Sequence, residues 1–429
     1  MTSDDRVPPR PGHRLPARRA ATTRHAVLLL GGVLLLGACG SQESAGSRVT
    51  LEFFQFKPEA IETFDKIIAD FEAAHPGIDV VQNHSPTAES AIRARLVKED
   101  IPDVISLNGN GVFGELASAG VFYDFSAAPA AKNVNPPIQR ILDDLGVHRQ
   151  GEINGLPFAS NANGVIYNKD LFRQHGVEPP TTWTELLAAA KKFQAAGVTP
   201  FYLTLKDSWT ALPAFNSLAA NLAPQDFFAA REAGRTTFTS AYPQVIGKLS
   251  ELSGYGQQDR FSRDYDDGNQ AFAQGKAAMY LQGSFAIPAI DQFEPGFEIG
   301  TFALPATDDA SATRLVSGVD VALTMPREPE HPKEAMAFID YLMRPEVIKA
   351  YADEQRAVPP IKDATSQDPV LAGLMPYFSQ GRLTGYTDHH IPLTIQLDAY
   401  LQQFLIDGDR ERLLRTLDNE WDKVAARRS

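Results

Sequence analysis

Apolar positions along the chain after residue 47 switch between two periods. Residues 49–56 (VTLEFFQF) have the aromatic and β-branched composition of a strand. The run that follows places Ile61, Phe64, Ile67, Ile68 and Phe71 at helical spacing, with Pro58 near the start and Gly77 just past the end. Residues 78–82 read as a second strand, 87–98 as a second helix and 102–107 as a third strand. Strand–helix–strand units of this length predict right-handed crossovers and a mainly parallel sheet flanked by helices. Ligands bind such sheets beyond the carboxyl ends of the strands. That rule puts Gln55, Phe56, Asn83, His84 and the loop Asn108-Gly109-Asn110-Gly111 on the candidate face, with glycine letting backbone approach a ligand. The loop fits neither a dinucleotide fingerprint nor a phosphate loop, and a plain turn is the competing reading.

Residues 151–172 (GEINGLPFASNANGVIYNKDLF) are apolar at both ends and amide-rich in the middle. Asn161 and Asn163 lie two apart, so on an extended chain both side chains leave from one face. The pattern fits a segment passing between two domains across a wet cleft; a hairpin strand with two exposed asparagines fits equally. Further on, Thr182 and Glu185 form a capping-box pair ahead of an apolar run, which assigns Trp183 to packing. A strand at 200–205 is followed by the polar turn Lys206-Asp207-Ser208 and then Trp209, whose place on a loop suits a ligand platform. Asp264-Tyr-Asp-Asp-Gly falls short of a calcium loop. Its glycine is fifth rather than sixth, and Gly275 stands where the twelfth-position Glu belongs, so a helix cap is expected instead.

Three runs carry a family resemblance. The first is Gly155-Leu-Pro-Phe158 with Ile166-Tyr-Asn-Lys-Asp-Leu171 after a short polar segment. The second is Phe272-Ala-Gln-Gly-Lys-Ala-Ala-Met279 with Gly283-Ser284-Phe285, and the third is the stretch 331–342 with Arg344-Pro345-Glu346. Together they resemble the bacterial extracellular solute-binding proteins of family 1, the sugar-binding lipoproteins of ABC importers that include the maltose-binding protein. The resemblance covers nearly all of the chain after residue 47. It implies an α/β, two-domain periplasmic-binding-protein-like fold of type II, each domain a mainly parallel sheet flanked by helices, with the ligand cleft between them. Domain I would hold 48–160 plus 318–372 and domain II 161–317 plus 373–429. Crossings are expected near 159–163 and 315–320, with a later return and hinge closure around ligand. The same resemblance places Gly283, Ser284 and Phe285 at a helix N-terminus facing the cleft, where backbone N–H groups are free to donate. Many relatives carry Trp where this chain has Phe285, a smaller stacking surface. Asp320 is expected to accept from a hydroxyl or to satisfy backbone amides. Tyr386 and Asp388 precede a helix at 395–405, and the adjacent His389 and His390 point to different sides of most backbones, which argues against a metal pair.

The N-terminus changes the picture of where this body works. Residues 1–25 hold six arginines against two acids, and residues 26–38 are apolar or Gly, too short a run to span a bilayer but suited to a signal-peptide core. Leu36-Gly37-Ala38-Cys39 resembles a lipobox, and Cys39 is the only cysteine in 429 residues, so lipidation is expected there. Arg18-Arg19 lacks the hydrophobic residues a twin-arginine signal would place directly after it. Residues 39–47 then read as a flexible tether. Without residues 1–38 the chain keeps 34 of its 40 Lys and Arg and 51 of its 53 Asp and Glu, a formal charge of −17. Such a surface excludes nucleic acid and anionic membrane as partners, leaving the membrane to the lipid anchor alone. No nucleophile elbow, zinc-protease motif or catalytic cysteine is present, so a hydrolase is the weaker reading. The expected protein is a non-enzymatic monomer without cofactor or metal. It takes carbohydrate in a cleft lined by Gln55, Phe56, Asn108, Asn110, Asn161, Asn163, Trp209, Gly283, Ser284, Phe285, Asp320, Tyr386 and Asp388, and passes it to permease subunits. Glycerol phosphate and polyamine are the alternative ligands.

Overall fold

A computed structural model describes residues 48–428, apart from 86, 147, 148, 150, 363 and 365. The expected signal segment, the tether and Cys39 lie outside the described residues. Among the described residues ten strands form two sheets: β1 (Val49–Gln55), β2 (Ile78–His84), β3 (Val104–Leu107), β4 (Leu156–Ala162), β5 (Val165–Asn168), β6 (Thr199–Tyr202), β7 (Ala277–Tyr280), β8 (Ile299–Phe302), β9 (Leu315–Thr324) and β10 (Leu383–Thr384). The first sheet runs β10-β9-β3-β1-β2, with β4 also on β9; the second runs β6-β7-β5-β8.

The N-terminal units form as the hydrophobic pattern predicts. β1 pairs parallel with both β2 and β3, and the helix Ile61–Ala74 connects β1 to β2. Leu51 and Phe53 enter one core cluster with Phe64 and Phe338, while Phe54 on the opposite face enters another. Burial on both faces is what helices on both sides of a sheet require. The Phe53 and Phe64 rings meet edge to face with centroids 5.0 Å apart, a geometry contributing about 0.5–1.5 kcal/mol beyond area burial.

The expectation of mainly parallel sheets needs correction in two places. β3 and β4 both pair antiparallel with β9, and in the second sheet β5 is antiparallel to both β7 and β8, leaving only β6–β7 parallel. The reason is topological. β5 and β9 are strands by which the chain enters a sheet from the other one, so neither is fed by a βαβ crossover. The chain leaves the first sheet at Ala162 and enters the second at Val165, and it returns between Phe302 and Leu315, a few residues before the expected 315–320. All ten residues of β9 are buried, as expected for a strand with partners on both edges.

Thr182 and Glu185 make both bonds of the capping box at the helix Trp183–Ala195, and Trp183 is buried in the core beneath the second sheet. Asp264 caps the helix Tyr265–Ala273 by accepting from Asp267 N (3.0 Å), in place of any calcium loop.

Candidate functional site

The passage β4–β5 sets one wall of a cleft. Asn161, the last residue but one of β4, lies opposite Gly318 of β9, and Asn163 just past the strand bridges to Gly283. Both asparagines are buried, Asn163 to 1 % exposure, so neither is the exposed amide of an ordinary hairpin. They line a cavity of about 340 Å³ together with Asn108, Trp209, Phe285, Asp320, Tyr386 and Asp388. Eight of the expected positions thus meet around one space. A second cavity of about 410 Å³ contains Ser284, Tyr265, Lys57 and Arg356, and shares Asn161, Phe285 and Asp320 with the first. The two are compartments of one cleft.

A polar chain crosses from one compartment to the other. The Lys57 ammonium donates to Asp320 Oδ2 (2.6 Å) and lies 3.1 Å from Glu59 Oε1. Asn161 Nδ2 donates to Asp320 Oδ1 (3.1 Å), and the Tyr386 hydroxyl donates to Asn161 Oδ1 (2.8 Å). Asp320 is 8 % exposed, and its charge is matched by Lys57. Burial works against the Lys57 ammonium, but the Asp320 carboxylate, helped by Tyr351 and Glu59, holds its pKa above the usual lysine range. Burial likewise raises Tyr386, with Asp320 and Asp388 adding to it, so the phenol remains a neutral donor. Asp388 is set by its backbone N–H, which donates to Asn216 Oδ1 (3.0 Å). Of the side chains lining the first compartment, Asn163 Oδ1 and Asp388 Oδ1 are buried acceptors without a donor, and Ser160 Oγ in the second is likewise buried without a partner.

Aromatic rings form the opposite side. Trp209, 37 % exposed, sits on the turn Ser208–Ala211, with its centroid 5.0 Å from Tyr265 and 6.4 Å from Phe285. A ring this exposed, leaning on two others, is held in place by them while offering surface to the cleft. Tyr386 stacks on His389 at 4.8 Å, and burial lowers the His389 pKa, keeping the imidazole neutral. His390 turns instead toward Phe228, so the two histidines do face different ways.

Two glycines are required by close approach. A Cβ on Gly318 would overlap the Tyr386 ring, and one on Gly283 would overlap Phe285. Gly283 therefore acts by seating an aromatic side chain. Ser284 lies deeper than expected, its hydroxyl accepting from Ala162 N (3.2 Å), which ties this turn to the crossing strand.

Other expected positions do not reach the cleft. Gln55 is fully buried, its amide donating to Gln82 Oε1 (2.9 Å) and its carbonyl oxygen accepting from Lys57 N (2.6 Å), so strand pairing consumes it. Asn110 caps the helix Gly111–Ser118, accepting from Val112 N and Phe113 N. With Phe56 it lines only a small neighbouring cavity of about 30 Å³. Gly109 N donates to Val319 O (2.9 Å), so the glycine seats the loop against β9, while Asn108 beside it lines the cleft. Asn83 donates to Glu52 Oε1 (2.7 Å), away from the cleft. Conversely, Lys57, Tyr265 and Asn216 escaped the sequence reading. Only Tyr265 left a local signal, an aromatic directly after a helix cap.

Two α/β sheets joined by chain crossings, with a cleft of aromatic, amide and carboxylate side chains at the crossing strands, define a ligand-binding fold. The chain belongs to the bacterial extracellular solute-binding protein family, whose sequence profile matches residues 57–349. It is 30% identical over 333 residues to the multiple sugar-binding protein of Streptococcus mutans, covering 75% of this chain and 78% of that one. It is 22% identical over 379 residues to the melibiose/raffinose/stachyose-binding protein MelE of Bacillus subtilis, covering 84% and 86%. The apo form of RafE from Streptococcus pneumoniae superposes with a TM-score of 0.77 at 28% identity, over 87% of this chain and 97% of RafE. RafE in complex with raffinose gives 0.74 at 27% identity, over 86% and 98%. No helix among the described residues is long and apolar enough to cross a membrane.

Proposed function

We propose that this chain is the extracellular carbohydrate-binding subunit of an ABC importer, a non-enzymatic monomer held at the membrane by a lipidated Cys39. Its two domains, 48–160 plus 318–372 and 161–317 plus 373–429, close on sugar in the cleft and present it to permease subunits. The observation that carries this reading is the division of the cleft into aromatic planes (Trp209, Tyr265, Phe285) and an amide–carboxylate edge (buried Asn161, Asn163 and Asp320 with half-buried Asp388). A pyranose has the same division. Its C–H faces gain by leaving water beside an aromatic plane, and its rim hydroxyls must be re-paired or cost about 1–3 kcal/mol each. The two donor-less acceptors, Asn163 Oδ1 and Asp388 Oδ1, suit hydroxyl donors. Phosphate fits poorly, because Lys57 and Arg356, the lysine and arginine lining the two compartments, are already paired with carboxylates.

The test is a thermal-shift and calorimetric screen of residues 40–429 against mono- and oligosaccharides, glycerol phosphate and a polyamine. A sugar at 100 times its Kd is expected to add about 2.7 kcal/mol of stability. Stabilisation by glycerol phosphate or polyamine alone would overturn the carbohydrate assignment. Anchoring is tested separately: Cys39→Ser is expected to move the protein to the soluble fraction, and continued membrane association would contradict lipidation.

A further inference from the structure

One side chain at the rim of the second compartment ties the first sheet to the second, and its backbone is held against a local preference. The helix Pro345–Glu354 packs on the first sheet, with Ile348 and Tyr351 in the cluster that holds Phe158 and Val321. It ends in a turn in which Ala357 N donates to Ala352 O (2.9 Å), and the turn puts Arg356 in the left-handed region at φ 48°. Glycine fits this helix-ending position best, and any other residue kept there is strained. Two residues on, Val358 exchanges both backbone bonds with Ser160 of β4, so Arg356 stands beside the strand by which the chain leaves the first sheet.

The Arg356 guanidinium is shared by two carboxylates. Nε lies 2.6 Å from Asp291 Oδ2, and Nη1 donates to Asp368 Oδ2 (2.6 Å). Asp291 ends the helix Ile287–Asp291, whose Ile287 and Ile290 are buried in one cluster with Tyr280 and Ile299 of the second sheet. Asp368 accepts from Val370 N (2.8 Å), and Val370 O accepts from Thr301 Oγ1 of β8 (2.6 Å). Both carboxylates are thus anchored to the second sheet, and Arg356 reaches them from the first. We propose that Arg356 is a positioning residue for ligand binding, a strap that holds the two walls of the cleft near their ligand-bound spacing. This rests on the reading of the cleft as a carbohydrate site that closes. The residue acts through Asp291 and Asp368, which already engage its guanidinium, and not by touching ligand. Without the strap fewer molecules keep that spacing, and the apparent Kd rises in inverse proportion to the competent fraction.

The experiment compares the full mature chain with two variants by small-angle scattering and by calorimetry with galactose, maltose, melibiose and raffinose. Arg356→Gly suits the left-handed turn and removes the strap. Its ligand-free radius of gyration is expected to exceed that of the wild type, with the two converging at saturating sugar. Its Kd for a sugar that binds the wild type is expected to rise about tenfold, as when about a tenth of the molecules stay competent. Asp291→Asn combined with Asp368→Asn leaves Arg356 in place and is expected to reproduce both effects; it serves if the glycine variant does not fold. Unchanged scattering and affinity in both variants, or tighter binding in either, overturns the strap. Weaker binding in Arg356→Gly alone, with the double variant matching the wild type, makes Arg356 a ligand contact and also overturns it. If none of the four sugars binds the wild type, the carbohydrate reading fails, and the scattering of the ligand-free chains still decides the strap.

Discussion

Replacing Lys57 with Met tests the polar chain at the centre of the cleft. The substitution keeps the length of the side chain and removes its charge, leaving Asp320 without its counter-ion. Both side chains of the pair are only 11 % exposed, so solvent offers the orphaned carboxylate little help. Breaking a buried pair from one side costs about 3–5 kcal/mol. Asn161 still donates to Asp320 Oδ1 (3.1 Å), which sets the expected loss at the lower end, about 3 kcal/mol. The assay is urea unfolding at pH 7 and at pH 5. In the variant the buried carboxyl holds a proton in the native state that it loses in the unfolded chain, so the native state binds more protons and gains stability as pH falls. The deficit is therefore expected to shrink from pH 7 to pH 5, and Lys57→Met combined with Asp320→Asn should recover most of it. In the wild type the sign is the same, but the window lies at alkaline pH. The raised Lys57 pKa contributes stability that is present below about pH 10 and lost only at higher pH. A deficit under about 1 kcal/mol, or one independent of pH, would refute the claim that Lys57 neutralises Asp320.

Further outcomes are expected elsewhere in the cleft and beyond it. Trp209→Ala and Phe285→Ala should each weaken sugar binding by about 1–3 kcal/mol by calorimetry with little change in the melting temperature of the apo protein; early unfolding with normal binding would make both rings core. Gly318→Ala should push Tyr386 off Asn161 and weaken binding by about tenfold while the far-ultraviolet spectrum is unchanged, and unaltered affinity would remove Tyr386 from the site. Burial pushes Asp143 up to about 6, against a hydrogen bond from Gln139, at the end of the helix Pro136–Asp143 where negative charge is unfavourable. Its raised pKa means stability present at low pH is lost as pH climbs through about 6. Asp143→Asn should then be more stable than wild type by about 1–2 kcal/mol at pH 7 and similar near pH 4, and no difference at pH 7 would contradict the shift.

What the sequence disclosed follows the range of the interactions involved. Periodicity and local capping located β1, the helix Ile61–Ala74 and the Thr182–Glu185 cap, because these are set by neighbours within a few residues. The spacing of Asn161 and Asn163 placed both on one wall, since a strand's period of two is local as well. Lys57 stayed hidden because its partner Asp320 is 263 residues away, and nothing near residue 57 announces the pairing. Gln55 was misread for the same reason in reverse, its amide being taken up by Gln82 on the neighbouring strand. Asn110 is different: an Asn directly before Gly-Val-Phe is an N-cap signal that local rules contain, and the rule about strand ends outweighed it. Antiparallel pairing of β5 and β9 could not follow from counting strands and helices, because it depends on where the chain changes sheets.

The most direct test of the central claim uses the protein's own tryptophans. Trp183 and Trp421 are buried, at 7 % and 5 % exposure, whereas Trp209 is 37 % exposed at the cleft. Titrating the mature chain with an oligosaccharide that calorimetry shows to bind is expected to give a saturable change in tryptophan emission at the same Kd. In Trp209→Phe, which keeps a ring in place, that change should vanish while binding persists in weakened form. Full retention of the emission change in Trp209→Phe, or calorimetric binding with no emission change in the wild type, would contradict a carbohydrate site between the aromatic trio and the asparagine wall.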